Sequence, residues 1–207
     1  EMLKGQAWNL APFVDMNNNN VYEPELGDYP DFPGDMAQFV IFNDNYKQHT
    51  ESGGAPLGTE THVMVYAYDS PGDTIMNNTI FLKYKIFNRS QNNYHNTYIG
   101  LWSDWDLGYA MDDYVACDVM KNTTYCYNGT EIDGYEQEWA YGESWPVQTL
   151  TLISGPLMPA DSLDNPAYTE DADCLEFVGN GLNQYAINGT TGFGDGIADN
   201  ERYGLNL

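Results

Sequence analysis

The chain has 207 residues with 7 basic and 31 acidic side chains, which gives a net charge of −24 at pH 7. This charge excludes binding along a nucleic-acid backbone, where Lys and Arg replace counterions, and docking on an anionic membrane surface. No apolar run approaches the roughly 18 residues that span a bilayer. Because 42% of the residues are hydrophobic, the chain can build a core and differs from a disordered acidic tail.

The two ends of the chain have the character of internal segments. The residues that follow Glu1 contain no apolar run of the kind that forms a signal peptide. The chain has no initiator Met at its first position and finishes in the turn-like sequence Tyr203-Gly-Leu-Asn-Leu. We therefore expect a processed or excised piece of a longer protein.

Several stretches have the composition or alternation of strands, and turn signals such as Asn-Asn, Pro-Gly, Asn-Gly and Asp-Gly separate them. They cover residues 35–42, 61–68, 79–87, 94–105, 114–120, 124–127 and 148–153. The clearest stretch places Ile80, Leu82, Tyr84 and Ile86 on one apolar face, as a half-buried strand does. The chain offers no convincing amphipathic helix of about 10 residues or more. The pattern predicts a mostly β fold, an antiparallel β-sandwich of seven or eight strands with long ordered loops at both ends.

Composition also predicts how the chain is organised. The ends are rich in Gly, Pro, Asn and Asp with only short apolar runs, whereas the middle contains the strand patterns. We expect a loop-rich N-terminal segment over residues 1–35, a β-sandwich core over 36–154, and a loop-rich C-terminal segment over 155–207 packed on that core.

Oxygen-bearing side chains recur at alternate positions of an Asn-rich turn near the N-terminus, which is the spacing of a calcium loop. The candidate ligands are Asp15, Asn17, Asn19, the Val21 carbonyl, Glu23, Glu25 and Asp28. Asn20 stands where an EF-hand loop has Gly, although Asn tolerates the left-handed conformation. Leu26 stands where a glutamate closes the EF-hand loop, so Glu25 or Asp28 would have to close this one. The alternative is a surface turn without metal.

A second group of five carboxylates falls in the middle of the chain. Its members are Asp104, Asp106, Asp112, Asp113 and Asp118. On a strand, Asp104 and Asp106 would face the same side and repel each other unless a cation, a proton or solvent intervened. We expect Ca²⁺ here, with a solvated acidic loop as the alternative.

A third acidic segment begins at Gly192 and resembles the second half of a calcium loop. Its candidate ligands are Asp195, Asp199 and Glu201. Thr191 and Phe193 occupy the upstream ligand positions and fit poorly, so a hairpin turn is the alternative.

The three cysteines lack the spacing and the His partners of a zinc site. Cys117 and Cys126 flank a turn and could face each other across a hairpin as a disulfide, which would indicate an oxidising compartment. Cys174 is left over, as a buried thiol or as one paired outside this segment.

Short acceptor motifs make the chain a candidate glycoprotein. Five N-x-S/T sequons begin at Asn77, Asn88, Asn122, Asn128 and Asn188. Thr74 and Ser162 lie in D-S/T-aliphatic triplets, which resemble the acceptor motif of Bacteroidota O-glycosylation. In an Asn-rich chain such sequons also arise by chance.

Catalysis is not expected, because no nucleophile, zinc-protease, dinucleotide or phosphate-loop motif is present. Carboxylate pairs that could hydrolyse glycosides carry little information among 31 acidic residues. The 17 Tyr and 5 Trp residues have two interpretations, a sugar-stacking platform or an aromatic core with hydroxyls at its rim.

Several runs follow one another in a definite order along the chain. They are Asp15-x-Asn-x-Asn, Gly27-Asp-Tyr-Pro, Phe42-Asn-Asp-Asn, Thr50-Glu-Ser-Gly-Gly-Ala-Pro-Leu-Gly, Phe87-Asn-Arg-Ser, Tyr98-Ile-Gly-Leu-Trp-Ser-Asp-Trp-Asp-Leu-Gly, Asp112-Asp-Tyr-Val-Ala-Cys-Asp, Tyr127-Asn-Gly and Gly192-Phe-Gly-Asp-Gly-Ile-Ala-Asp-Asn-Glu-Arg-Tyr-Gly. Together they cover most of the chain and resemble a β-module of large secreted or cell-surface Bacteroidota proteins, which usually end in a type IX secretion sorting domain. The resemblance implies export and no enzymatic activity.

These observations predict an extracellular structural or adhesive module, stabilised by Ca²⁺, that belongs to a larger secreted or cell-surface protein. Its expected partners are other protein modules or copies of itself, with a filament-forming subunit as one form of this role. Glycans are a further expected partner, because the alternative function is a carbohydrate-binding module of a secreted hydrolase. Binding of nucleic acid and insertion into a membrane are not expected.

Overall fold

The computed structural model describes residues 11–95, 97–118, 121–134, 137–158, 160–164, 192 and 194–203. Over these residues the chain is mostly β and contains three antiparallel sheets. It divides into two compact units, residues 1–94 and residues 95–207. The boundary between the units lies inside residues 36–154, which we expected to form one core.

The first unit opens with a two-stranded ribbon around the Asn-rich turn. Strand β1 (Phe13–Val14) pairs antiparallel with β2 (Tyr29–Pro30). A 3-10 helix, Pro24–Leu26, lies between them and ends at Gly27, whose φ of 102° is left-handed. The ribbon therefore brings the two ends of the expected calcium loop together.

The main sheet of the first unit has three antiparallel strands in the order β3-β4-β5. They are β3 (Met36–Asp44), β4 (Thr59–Ala67) and β5 (Ile80–Asn88). These strands confirm three of the predicted stretches. A four-residue helix α1, Thr74–Asn77, precedes β5, and the side chain of Asp73 caps it by accepting the N–H groups of residues 75 and 76.

One side of this sheet is apolar and exposed. The register aligns β3, β4 and β5 residue by residue, so directly opposite side chains share a face. The exposed apolar side chains on that side, named here the apolar sheet face, are Met36, Val40, Phe42, Ile80, Leu82, Tyr84 and Ile86, with exposed fractions from 40% to 75%. The alternation predicted for β5 is confirmed, but its apolar side is open to solvent rather than half-buried.

The opposite side of the same sheet carries an aromatic and charged cluster. Tyr66 stacks on Phe81, with ring centroids 5.1 Å apart. Glu60 accepts hydrogen bonds from His62 and from Arg89, each at 2.9 Å. The two sides of the sheet therefore differ, because polar and ring contacts cover one of them and leave the other open.

The second unit contains a sheet in the order β6-β7-β8. Its strands are β6 (Asp113–Asp118), β7 (Thr123–Asn128) and β8 (Gln148–Thr151), and all pairs are antiparallel. The strand predicted over residues 94–105 is wrong: its described residues form no strand, because none of them pairs with a neighbouring strand. Trp102, which a strand in a core would bury, is 84% exposed.

Few apolar side chains are buried among the described residues. They are Val63, Met64, Leu107 and Cys126, whereas the buried polar ones are Asp28, Asn122, Asn128, Asp133 and Glu201. Buried polar groups are held by hydrogen bonds, so much of the loop structure depends on polar contacts. None of the helices in the described part of the chain has the length and apolar character needed to cross a membrane.

Candidate functional site

Asp28 ties the two ends of the N-terminal loop together. Its carboxylate accepts the backbone N–H of Met16 at 2.9 Å and that of Glu23 at 2.8 Å, one on each oxygen. The side chain is only 4% exposed. Charge-assisted bonds of this kind are about twice as strong as neutral ones, so Asp28 acts as the anchor of the loop.

The alternate side chains of the loop point to one carboxylate. Asn17 and Asn19 both donate from their amide groups to Oε2 of Glu23, with Asn17 at 3.2 Å. The Asn19 side chain also accepts the N–H of Val21 at 2.8 Å. Glu25, in contrast, is exposed on the 3-10 helix. Hydrogen bonds thus connect Asn17, Asn19 and Glu23, whereas the Glu25 side chain is exposed to solvent.

The carboxylate of Asp15 accepts backbone hydrogen bonds from the turn that follows it. Burial raises the pKa of Asp15, but hydrogen bonds from the backbone N–H groups of residues 17–20 outweigh it and hold the pKa below its ordinary value. Its Oδ2 atom accepts the Asn20 N–H at 2.6 Å, whereas Oδ1 is buried without a hydrogen-bond partner. Asn20 has a φ of 62°, the left-handed conformation that the sequence predicted it would tolerate.

The five carboxylates of the central group do not form one cluster. Asp104 and Asp106 are exposed in an irregular segment, so the strand alternation expected for them is wrong. Asp118 lies at the far end of β6, where Lys121 pairs with it at 2.8 Å. Only Asp112 and Asp113 remain together, at the start of β6.

Asn128, a residue outside the predicted group, lies near Asp112 and Asp113. Asn128 is directly opposite Asp113 in the β6–β7 register and is 3% exposed. Asp113 accepts the Leu107 N–H on Oδ2 at 2.9 Å, and Asp112 accepts the Gly134 N–H on Oδ2 at 3.0 Å. The Oδ1 atoms of Asp112, Asp113 and Asn128 are all buried without a hydrogen-bond partner.

Asp133 positions two of the residues that line an open pocket in the second unit. It is 1% exposed and accepts the Tyr109 N–H at 2.9 Å and the Tyr141 N–H at 2.6 Å. Tyr109 and Tyr141, together with Asp106 and Trp139, line the pocket, which has a volume of about 570 Å³. The Tyr109 and Trp139 rings lie 5.8 Å apart. This arrangement presents aromatic faces beside a carboxylate.

The carboxylates of the third acidic segment accept backbone N–H groups, both from the segment itself and from residues 161 and 162. Asp199 accepts the N–H groups of Asp161 and Ser162 at 2.7 and 2.8 Å, and Asp195 accepts that of residue 197 at 2.9 Å. Asp164, which the sequence did not indicate, accepts the N–H groups of residues 194 and 196. Glu201 is 3% exposed, and its backbone carbonyl accepts the N–H of residue 158.

The predicted ligands do not meet as a cage of acidic side chains. Within the part of the chain that the structure describes, no three His, Cys, Asp or Glu side chains are placed together to hold a metal ion. A metal site can also consist of two carboxylates with an amide or backbone oxygen, which is a different set of ligands. Calcium accepts such mixed oxygen ligands.

The predicted disulfide is absent, because both cysteines of the β6–β7 hairpin are free thiols. Cys117 lies opposite Thr124 and Cys126 opposite Val115, so the two thiols are diagonal neighbours rather than direct partners. Burial, with a smaller contribution from the charge of Asp113, raises the pKa of the Cys126 thiol. Cys174 lies outside the described residues.

Burial separates the candidate glycosylation positions. Asn122 and Asn128 are buried in the folded chain, with exposed fractions of 6% and 3%. The other described positions, Asn77, Asn88, Thr74 and Ser162, are exposed. Asn188 lies outside the described residues.

Two buried polar residues of these sites, Asp133 and Asn128, were not indicated by the sequence as site residues. Asp133 lies in an Asp-Gly pair, which we took only as a turn signal. Asn128 lies in a sequon, and its sequence context contains no signal that it is buried opposite a carboxylate. No family of proteins, no curated protein and no solved structure matches this chain.

Proposed function

We propose that the chain is an extracellular structural or adhesive module of a larger secreted or cell-surface protein. It binds other modules, or copies of itself, through the apolar sheet face. The observation that carries this proposal is the exposure of seven large apolar side chains of β3 and β5 on one side of the sheet. Exposed apolar side chains grouped in this way, with Gln38 as a polar residue among them, are typical of an interface.

The same face supports the β-sandwich expected from the sequence. In a sandwich, a second sheet covers the apolar side of the first at a separation of about 10 Å. We propose that another module, or a second copy of the chain, supplies the second sheet that covers the apolar sheet face. Two copies that pair through this one face form a closed dimer, so a filament-forming subunit would need a second contact surface. The type IX export inferred from the resemblance would bring the chain to the cell surface.

Calcium stabilisation is the second part of the proposal. The chain has a net charge of −24 and few buried apolar side chains among those described, so its loops need a source of order other than a large core. Asp15 keeps one buried oxygen without a partner, on a carboxylate that accepts backbone N–H groups of residues 17–20. A cation that binds only the folded state would stabilise it by mass action.

The sheet-face proposal is tested by light scattering and by binding of the apolar dye ANS. We compare the wild type with the double variant Phe42→Ser, Leu82→Ser. The control is Lys83→Ser, Lys85→Ser, which changes exposed residues on the other side of β5. We expect the face variant alone to lose self-association or dye binding. A wild type that is monomeric and binds no dye contradicts the proposal.

The calcium proposal is tested by a thermal melt in excess EDTA and then in millimolar Ca²⁺. A Kd in the range of extracellular modules, about 10⁻⁴ to 10⁻³ M, gives a clear rise in Tm at these concentrations. An unchanged Tm would overturn calcium stabilisation without affecting the sheet-face proposal.

A carbohydrate-binding module is the second candidate, and the open pocket favours it. Trp139 and Tyr141 are 62% and 53% exposed at its edge, beside Asp106. Exposed rings stack on sugar faces, and a carboxylate accepts hydrogen bonds from sugar hydroxyls. A glycan array supports this candidate if binding is lost in Trp139→Ala and kept in Trp102→Ala, which lies outside the pocket. An array without hits removes it.

A further inference from the structure

We propose that Asp112, Asp113 and Asn128 bind one calcium ion through their Oδ1 atoms. The site lies in the second unit, where β6 begins and β7 ends. This inference deepens the calcium stabilisation proposed above and rests on it. The sequence pointed to the two aspartates but combined them with three carboxylates that the structure places elsewhere.

The second polar atom of each ligand already has a partner. Asp113 uses Oδ2 for the N–H of Leu107, and Asp112 uses Oδ2 for the N–H of Gly134. The Thr130 hydroxyl lies 3.3 Å from Oδ2 of Asp112 and donates to the carbonyl of residue 132 at 2.8 Å. The two N–H donors fix the orientation of both carboxylates. The Oδ1 atoms are therefore held in the interior without a donor, and they cannot rotate to solvent without breaking these bonds.

The orientation of the Asn128 amide is fixed in the same way. Its Nδ2 group donates to the Thr130 carbonyl at 2.9 Å and also reaches the Thr130 hydroxyl at 3.3 Å. A carbonyl oxygen accepts only, so the amide nitrogen must face Thr130 and the amide oxygen must face away from it. Asn128 is only 3% exposed, yet its amide oxygen has no hydrogen-bond partner.

The register and the shared threonine bring these ligands to one place. Asp113 and Asn128 are direct partners, so their side chains leave the sheet on the same side. Opposite residues of an antiparallel pair have Cβ atoms about 4.5–5.5 Å apart. The Thr130 hydroxyl contacts both Asp112 and Asn128. Two carboxylates and an amide oxygen are thus collected at one end of the hairpin.

A divalent cation is the partner that this chemistry fits. Buried acceptors without a donor cost free energy, and two neighbouring carboxylates add repulsion. Calcium accepts carboxylate and amide oxygens together and completes its shell of 6–8 ligands with water or backbone carbonyls. Its charge balances the two carboxylates. With few protein ligands, we expect a weak site of the extracellular class.

The test is calorimetric titration of the chelator-treated full chain with CaCl₂. Asp113→Asn and Asn128→Ala remove ligands, and Asp118→Asn is the matched control on the same strand, outside the site. We expect Asp113→Asn to lose one binding event and Asn128→Ala to weaken it about tenfold, a change of ~1.4 kcal/mol. Asp118→Asn should titrate like the wild type. If circular dichroism shows Asp113→Asn to be unfolded, Asp112→Asn replaces it under the same criterion.

The outcomes separate this site from calcium stabilisation in general. If Ca²⁺ binds the wild type and both ligand variants with equal stoichiometry and affinity, the site is wrong although calcium stabilisation stands. If Asp15→Asn removes all calcium binding, the N-terminal loop is the sole site and the inference is again overturned. A wild type that binds no Ca²⁺ overturns both.

Discussion

Gly108 gives Asp133 the space in which its carboxylate binds the backbone. A Cβ atom at residue 108 would overlap the Asp133 side chain, and the φ of Gly108 is 76°. Asp133 uses that position to accept the N–H groups of Tyr109 and Tyr141. One glycine and one buried aspartate therefore hold the two segments that line the aromatic pocket.

Replacing Gly108 by alanine should destabilise the second unit strongly. The left-handed backbone costs about 1–2 kcal/mol for a residue with a side chain. Displacing Asp133 leaves two backbone N–H groups without their acceptor, at about 1–3 kcal/mol more. The free energy of unfolding from a urea titration should fall by roughly 2–5 kcal/mol.

Gly142→Ala is the matched control for that prediction. Gly142 has a φ of 66°, but nothing lies within 4 Å of a Cβ atom there. It should show the backbone cost alone, about 1–2 kcal/mol. Equal losses in Gly108→Ala and Gly142→Ala would mean that Asp133 contributes nothing through this contact.

Asp28→Ala should loosen the N-terminal loop even without metal. The variant removes the acceptor of the Met16 and Glu23 N–H groups from a site that is 4% exposed. We expect a loss of about 2–4 kcal/mol in the free energy of unfolding, measured in excess EDTA. Glu25→Ala changes an exposed carboxylate of the same loop and should cost less than about 0.5 kcal/mol. Similar losses in the two variants would contradict the anchoring role of Asp28.

The first unit should lose stability in acid. Arg89 holds the pKa of Glu60 below its ordinary value against the effect of burial, with His62 assisting. The Leu57 N–H, and then His49, lower the pKa of Asp44. Between the lowered and the ordinary pKa, the unfolded chain binds more protons than the folded one. The stabilisation is therefore present above the ordinary pKa near pH 4 and is lost as pH falls through the folded value.

Urea titrations between about pH 6 and pH 2 measure this dependence. Glu60→Gln should flatten the acid decline, because the variant has no carboxylate to protonate at that position. Glu131→Gln, which changes an exposed carboxylate, should leave the slope unchanged. The same slope in all three proteins would show that Glu60 makes no contribution.

The two hairpin cysteines should differ in reactivity toward a thiol reagent. Cys126 is 0% exposed, whereas Cys117 is exposed on the same hairpin. In a Cys174→Ser background, Cys126→Ser should leave rapid labelling intact, and Cys117→Ser should make labelling slow until urea is added. Rapid labelling of both folded variants would contradict the burial of Cys126. If the parent chain resists labelling until a reductant is added, the result would support the disulfide expected between Cys117 and Cys126.

Local patterns predicted six of the eight strands in the described residues and missed the two-residue strands β1 and β2. Alternation and turn residues predicted β3, β4, β5, β6, β7 and β8 with ends within a few residues, because a strand with two different sides needs that alternation. The stretch over residues 94–105 has the same aromatic composition but forms no strand among its described residues. Composition records a preference for extended backbone, whereas a strand exists only where a neighbour supplies hydrogen bonds.

The sequence by itself determined the β-rich class, the acidic character and the loops in which carboxylates concentrate, because these depend on composition and short spacing. Only the tertiary structure decided which carboxylates meet. In that structure Asp118 lies at the far end of β6, Asn128 lies opposite Asp113, and Asp133 is buried beside Gly108. Register and burial set those relationships, and both depend on residues distant in the chain. A site assembled from oxygens on two strands is therefore visible only after the strands have paired.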